Sequence, residues 1–261
     1  MAELAVVASL IVAGAAYAIG LSRAWGSAGR GRLVRVPQVR NFAAAELVLA
    51  VALLPPLATS AHQRLAAHMV QHVLLLVVVA PLLALGAPLP TLLWALPAEW
   101  RDRGTAAWRR ALRSHSRSWA AWAGGTLLVQ ALVMLAWHAP VLYRAAVHHE
   151  ALHVLEHASY LATATAFWWA VGMGSHRHGA AVPVLFVAAL PGTALGAALT
   201  LASRPWYAEY PSMADQQLAG VVMWGFAGLA YVLAAACLFG IWLAGLERET
   251  PARPLEPAVR P

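Results

Sequence analysis

Residues 151–169 read ALHVLEHASYLATATAFWW. From Ala158 onward the stretch is small, apolar or hydroxylic and closes on three aromatic residues, which suits a helix in lipid. Its first half nonetheless carries His153, Glu156 and His157. A helix needs about 20 predominantly apolar residues to cross a bilayer. Ionisable groups inside such a run are costly, and a functional site is the first explanation to consider. Whether this stretch stands alone or belongs to a series decides the fold.

It belongs to a series. The chain has 261 residues, 61% of them hydrophobic and only 11% charged, with a mean hydropathy of +0.64. Soluble domains carry roughly 25% charged residues, so a membrane protein is expected. Apolar runs fall at approximately 3–22, 41–59, 65–86, 119–138, 151–172, 181–203 and 217–245. Backbone groups find no partner in hydrocarbon, so each run must be helical. The expected fold is an all-α integral membrane protein, a seven-transmembrane-helix bundle over residues 1–246. A short, Pro-rich and disordered cytoplasmic tail follows over 247–261. Pro55-Pro56, Pro81 and Pro191-Gly192 are expected to kink or break their helices. The first run lacks the basic segment that precedes a cleaved signal sequence, and reads as a retained helix.

The arginines orient the bundle. All 18 basic residues are arginine, and they give the chain its net charge of +7. Loop 23–40, loop 87–118, Arg177 and the tail, with Arg248, Arg253 and Arg260, hold fifteen of them. Arg64, Arg144 and Arg204 occupy the alternate loops. Positive loops stay in the cytoplasm, which places the amino terminus outside and the carboxyl terminus inside. Arginines spread between apolar runs are topology signals and not a nucleic-acid surface. Residues 91–119, TLLWALPAEWRDRGTAAWRRALRSHSRSW, read either as an amphipathic helix along the inner surface or as a solvated basic loop. Cys237 is the single cysteine, which excludes an internal disulfide and any CxxC site.

Topology turns the histidines into a place. His68 and His72 open the third run, His138 closes the fourth, and His153 and His157 open the fifth. All five fall at the outer end of the bundle. Each HxxxH pair shares one helix face, about 6 Å apart along the axis. Imidazole is the commonest ligand for transition metals, and several imidazoles without a thiolate suit copper, zinc or iron. These five are the candidate metal ligands, with Glu156 beside them to orient an imidazole. His62, His148 and His149 lie in outer loops, where they either help capture an ion or are ordinary loop residues. His176 and His178 lie at the cytoplasmic end, and His115, among arginines, reads as solvated. Glu46 is a buried charge in the second run. Met69, Met134, Met213 and Met223 are packing residues or soft ligands for Cu(I).

The segment HHEALHVLEH holds two short protease patterns. His149-Glu150-Ala151-Leu152-His153 matches HExxH, and His153-Val154-Leu155-Glu156-His157 matches its inverse. A zinc-dependent intramembrane hydrolase is therefore an alternative, in which the glutamate activates water. Two further alternatives are a b-type haem protein with axial histidines from two helices, and a metal or proton transporter using Glu46.

The whole pattern resembles the CtaG family of multi-span membrane factors for cytochrome c oxidase assembly. The likeness rests on His68-Met69-Val70-Gln71-His72 leading into APLLALGAP, on Trp137-His138-Ala139-Pro140-Val141-Leu142-Tyr143, and on HVLEHASYL followed by Phe167-Trp168-Trp169. Asp215-Gln216-Gln217 leading into Met223-Trp224 completes it. The chain departs from the pattern at Ala170, where the family has proline, and at Ala219-Gly220 and Phe226-Ala227-Gly228, where it has paired glycines and Pro-Gly. The resemblance implies a non-enzymatic protein of the bacterial cytoplasmic (inner) membrane. It implies copper as the bound metal, with zinc as the other candidate. It also implies cytochrome c oxidase subunits or other copper-handling proteins as partners, with no role for nucleic acid. Asp215 and Gln216 would then close the site or meet the partner.

Overall fold

The computed structural model describes residues 2–172 and 178–249; every regular element among the described residues is a helix, joined by short turns and one longer irregular segment at 202–212. His176, Arg177, Arg253 and Arg260 fall outside the described residues, as does the tail beyond Glu249. Helix α1 (Ala2–Ala28) is followed by α2 (Val36–Leu53) and a short α3 (Leu57–Gln63). One long helix then runs as α4 (Leu65–Leu74), a π-helical turn (Leu75–Val79) and α5 (Ala80–Gly86). Next come α6 (Pro88–Ala95), α7 (Ala98–Arg117), α8 (Trp119–His138), α9 (Pro140–His148) and α10 (Glu150–Gly172). The chain closes with α11 (His178–Leu201), α12 (Met213–Val221), a second π-helical turn (Val222–Phe226) and α13 (Ala227–Glu249).

Six stretches are long and apolar enough to cross a membrane: Glu3–Ala28, Val36–Leu53, Leu65–Gly86, Trp119–His138, His178–Leu201 and Met213–Arg248. With leucines such as Leu4, Leu128 and Leu201 exposed on the outside of the bundle, this is a multi-pass membrane protein. Lipid, not water, meets those side chains. The remaining long helices are α7, which is amphipathic, and α10, which carries Glu150, His153, Glu156 and His157.

The prolines act differently from one another. The apolar run expected at 41–59 breaks at Leu53, because Pro55-Pro56, joined by a cis bond, cannot continue a helix. Pro81 falls just after the first π-helical turn. It lacks an N–H, and the wider turn before it accommodates the lost bond. Pro183 and Pro191 lie inside α11 without ending it, as membrane helices allow when neighbours pack around the freed carbonyl.

Close packing sets the helix order. A Cβ on Gly196 would lie 2.8 Å from the Gly220 carbonyl oxygen, so α11 and α12 can meet only through these glycines. Tyr17 of α1 stacks on Phe42 of α2 at 3.8 Å between ring centroids. The Arg23 guanidinium donates to the carbonyl of Ala95 at 2.8 Å, where α6 ends. Such carbonyls have no partner within their own helix.

Residues 91–119 are resolved in favour of the amphipathic reading, since α7 is a 20-residue helix. It carries His115 inward and not into solvent. The ring is 5% exposed, its Nε2 lies 2.8 Å from the Ala170 carbonyl, and Trp169 packs beside it at 4.9 Å. A carbonyl only accepts, so Nε2 carries the proton. The solvated reading of His115 is overturned because the last turn of α10 needs donors, which His115 and the Trp119 indole N–H (3.0 Å) provide. Glu46 is half-buried on α2, not fully enclosed.

Candidate metal centre

Two helices face each other at one end of the bundle. On α10, His153, Glu156, His157 and Tyr160 share a face through i, i+3, i+4 and i+7 spacing. On α4, His68 and His72 do the same one turn apart. The packing of α10 against the long helix from Leu65 to Gly86 turns both faces inward. His68 and His72 are 3% and 2% exposed, and Glu156 is 1% exposed. His153 and His157 are half-buried.

One ligand atom each from His68, His153, Glu156 and His157 lies within 4.8 Å of the others. Among the described residues these atoms have no hydrogen-bond partner: His68 Nε2, His153 Nε2, His157 Nε2 and both Glu156 carboxylate oxygens are orphaned. Glu156 lies 4.0 Å from His68 Nε2 and 3.6 Å from His72 Nε2, too far for hydrogen bonds. Buried polar atoms are nearly always paired. Five such atoms in one group of four residues could hold a metal ion. Three imidazole nitrogens and a carboxylate match the donors that copper and zinc take.

The sequence reading put five histidines in one place and Glu156 beside them. The structure moves Glu156 in among the candidate ligand atoms. His72 stays in contact, with its ring 4.4 Å from His68 and 5.3 Å from His157. His138 stands further off, reaching the group only through His72 at 6.0 Å. Of the loop histidines, His62 on α3 approaches His153 at 6.0 Å between centroids. His148 pairs with Glu209 instead, at 3.4 Å, and His149 caps α9 in an exposed position. The HExxH reading therefore loses His149, whereas the residues of the inverse pattern do converge.

Asp215 and Gln216 position the site without joining it. The Leu65 and Ala66 N–H groups donate to Asp215 Oδ2 and Oδ1 at 2.6 and 3.4 Å. A carboxylate from α12 thus caps the start of the helix that carries His68 and His72. Gln216 ties down the segment after α11, accepting from the Trp206 N–H at 2.6 Å and donating to the Leu199 carbonyl at 3.3 Å. That segment, 202–212, lies across the histidine end. The Tyr207 hydroxyl donates to the His138 carbonyl at 2.9 Å and the Tyr210 hydroxyl to the Ala61 carbonyl at 3.0 Å. Tyr143 and Tyr207 pack with ring centroids 4.0 Å apart. No sequence pattern announced this tyrosine cover, because its three members come from α9 and an irregular loop.

At the rim, burial alone would raise the Glu209 carboxyl, but its own backbone N–H, Arg144 at 3.0 Å and His148 outweigh that and hold it below the usual carboxylate range. A cavity of about 720 Å³, lined by His62, Gln63, Glu150, His153 and His157 among others, leads to the four-atom group.

The model of the cytochrome c oxidase caa3 assembly factor family (Caa3_CtaG) matches residues 15–244, nearly the whole chain. The protein belongs to that family. No curated protein and no solved structure matches it.

Proposed function

We propose that this member of the oxidase assembly-factor family is a copper-binding protein that holds or delivers the ion during maturation of the oxidase. Its ligands are His68, His153, His157 and Glu156, with His72 and His138 behind them. In this reading α10 is the seventh membrane-spanning helix, its polar face turned inward, and the arginine distribution puts the histidine end outside a bacterial inner membrane. The partners are oxidase subunits or other copper-handling proteins. The observation that carries the proposal is the convergence of four ligand atoms within 4.8 Å, all lacking hydrogen-bond partners.

Bound copper would supply the charge that these lone pairs otherwise face without compensation. The chain's residues supply the rest. The two helix faces fix the spacing of the imidazoles, Asp215 holds the entry of α4, and the tyrosine segment keeps bulk water away from one side. The cavity beside His62 and His153 gives a route for ion or partner. Nothing in this arrangement requires turnover, and the role is that of a carrier.

The test is metal content and an optical spectrum of protein purified in detergent without chelator, beside a His153→Ala/His157→Ala variant. Copper at a fixed ratio in the wild type, lowered in the variant by the ion that these two imidazoles hold, is the expected result. Glu156→Gln should weaken binding of a divalent ion by about 10- to 100-fold. Absence of metal from both samples, even after loading with Cu(I) and Cu(II), would overturn the proposal. Bound zinc with measurable peptide hydrolysis would favour the hydrolase, for which the inverse HxxEH residues are in place.

A further inference from the structure

His72 borders the four-atom group, its Nε2 3.6 Å from Glu156, and together with His138 it also lines a different cavity, of about 40 Å³. That is room for an ion or a single water. Met134 and Met223 line the same cavity, and none of its lining residues is a carboxylate. Of its other polar lining residues, Gln130, Thr193 and Tyr231, the Gln130 amide donates to the Tyr231 hydroxyl at 3.3 Å.

The tautomer of His138 can be read from its contacts. Its Nδ1 lies 2.8 Å from the Met134 carbonyl oxygen, which can only accept, so Nδ1 carries the proton. The Tyr160 hydroxyl lies 3.1 Å from the same nitrogen. Nε2 of a neutral imidazole is then a bare lone pair, and it has no partner although the residue is 4% exposed. His72 is 2% exposed and neither of its ring nitrogens has a hydrogen bond. A metal-binding histidine characteristically donates its other nitrogen to a backbone carbonyl, as His138 does.

Both π-helical turns border this cavity. The turn at Leu75–Val79 contributes Leu76 and Val77, and the turn at Val222–Phe226 contributes Met223. Such turns occur frequently where a helix has been adapted to a function. Here the second one carries the thioether of Met223.

We infer that His72, His138, Met134 and Met223 form a second metal site, selective for a soft monovalent cation, Cu(I). The inference deepens the copper reading above and rests on it. Two imidazoles and two thioethers are neutral donors; without a carboxylate they favour Cu(I) over divalent ions, whereas the group containing Glu156 accepts both. His72 sits between the two sites, its ring 4.4 Å from His68 and 6.0 Å from His138. An ion can pass from one to the other by exchange of ligands alone, as Cu(I) throughout, with no electron transferred.

The test uses the full chain in detergent, loaded anaerobically with Cu(I) and separately with Zn(II). Ions per protein are counted and copper X-ray absorption is recorded. The wild type should take two Cu(I) and one Zn(II), with sulfur scattering at copper. Met134→Leu/Met223→Leu, a volume-conserving change, should drop to one Cu(I), lose the sulfur scattering and keep its Zn(II). His153→Ala/His157→Ala should lose Zn(II) and one Cu(I) but keep the sulfur-bound ion. A wild type with a single Cu(I) and no sulfur scattering, or Cu(I) uptake unchanged by the methionine substitutions, would overturn the second site while leaving the first standing. Sulfur-bound copper without any Zn(II) or second Cu(I) would do the reverse.

Discussion

Two buried histidine environments, at opposite ends of α10, make an instructive pair. At the Gly172 end, His115 is enclosed by Trp122 and Trp169 and spends its proton on the Ala170 carbonyl. At the Glu150 end, His68 and His72 are equally enclosed, yet His68 Nε2 and both ring nitrogens of His72 have no partner. Burial is common to both, so burial does not mark the site. The distinction is whether the polar atoms are satisfied. A satisfied imidazole is part of the scaffold, whereas a set of unpaired ones could take a ligand.

The sharpest way to break this comparison is to apply one substitution at both ends. In metal-free protein, His115→Leu should lower stability by about 1–3 kcal/mol, because the end of α10 loses a donor. His72→Leu should do the opposite and raise it by about 1–3 kcal/mol, since it removes an unsatisfied buried group. Thermal unfolding in detergent reads both, and equal signs would show that the two environments do not differ as described.

A smaller effect is expected at Asp215. Asp215→Asn keeps the size but removes the charge at the start of α4, and should cost about 1 kcal/mol. Since the cap positions His68 without touching it, metal stoichiometry should be unchanged while affinity falls only a few-fold. Loss of the metal altogether would make Asp215 a ligand and not a positioning residue.

The smallest effect concerns the rim. The Glu209 carboxyl is held below its ordinary range by its own N–H, Arg144 and His148 against the opposing pull of burial. A depressed value contributes stability that is present above the unfolded value of about 4.3 and is lost as pH falls through the folded one. Protection from hydrogen exchange in residues 202–212, corrected for the intrinsic rate at each pH, should therefore fall as the pH drops through the folded value, with an amplitude under about 1 kcal/mol because the Arg144 partner is largely exposed. Arg144→Ala should bring on the faster exchange at neutral pH. Exchange that ignores both changes would show that the segment is held by its tyrosines alone.

Much of the architecture was legible in the chain. Most of the apolar runs fall on helices because only a helix satisfies its backbone in lipid, although among the described residues six and not seven are long and apolar enough to span and the run at 41–59 breaks at Leu53; the HxxxH spacings place each histidine pair on one face because 3.6 residues make a turn. Errors came where a helix end needed a partner from elsewhere. His115 was assigned to solvent because its arginine neighbours are solvated, whereas the orphaned carbonyls of α10 drew it inward. Asp215, expected from the sequence to close the site or meet the partner, has both oxygens on the N–H groups that start α4, a contact that no local pattern announces.

Periodicity states which residues of a helix share a face, and composition states that the face lies in a membrane. Both are properties of the local chain, and from them the sequence alone determined the helices, the histidine pairs and the family likeness. Neither sets the rotation of one helix against another. That rotation, set by the packing of α10 on the long helix from Leu65 to Gly86, decided that Glu156 joins His68, His153 and His157. It also decided that His72 and His138 turn toward Met134 and Met223. These groupings come from side chains far apart in the chain, and only tertiary packing brings them within reach.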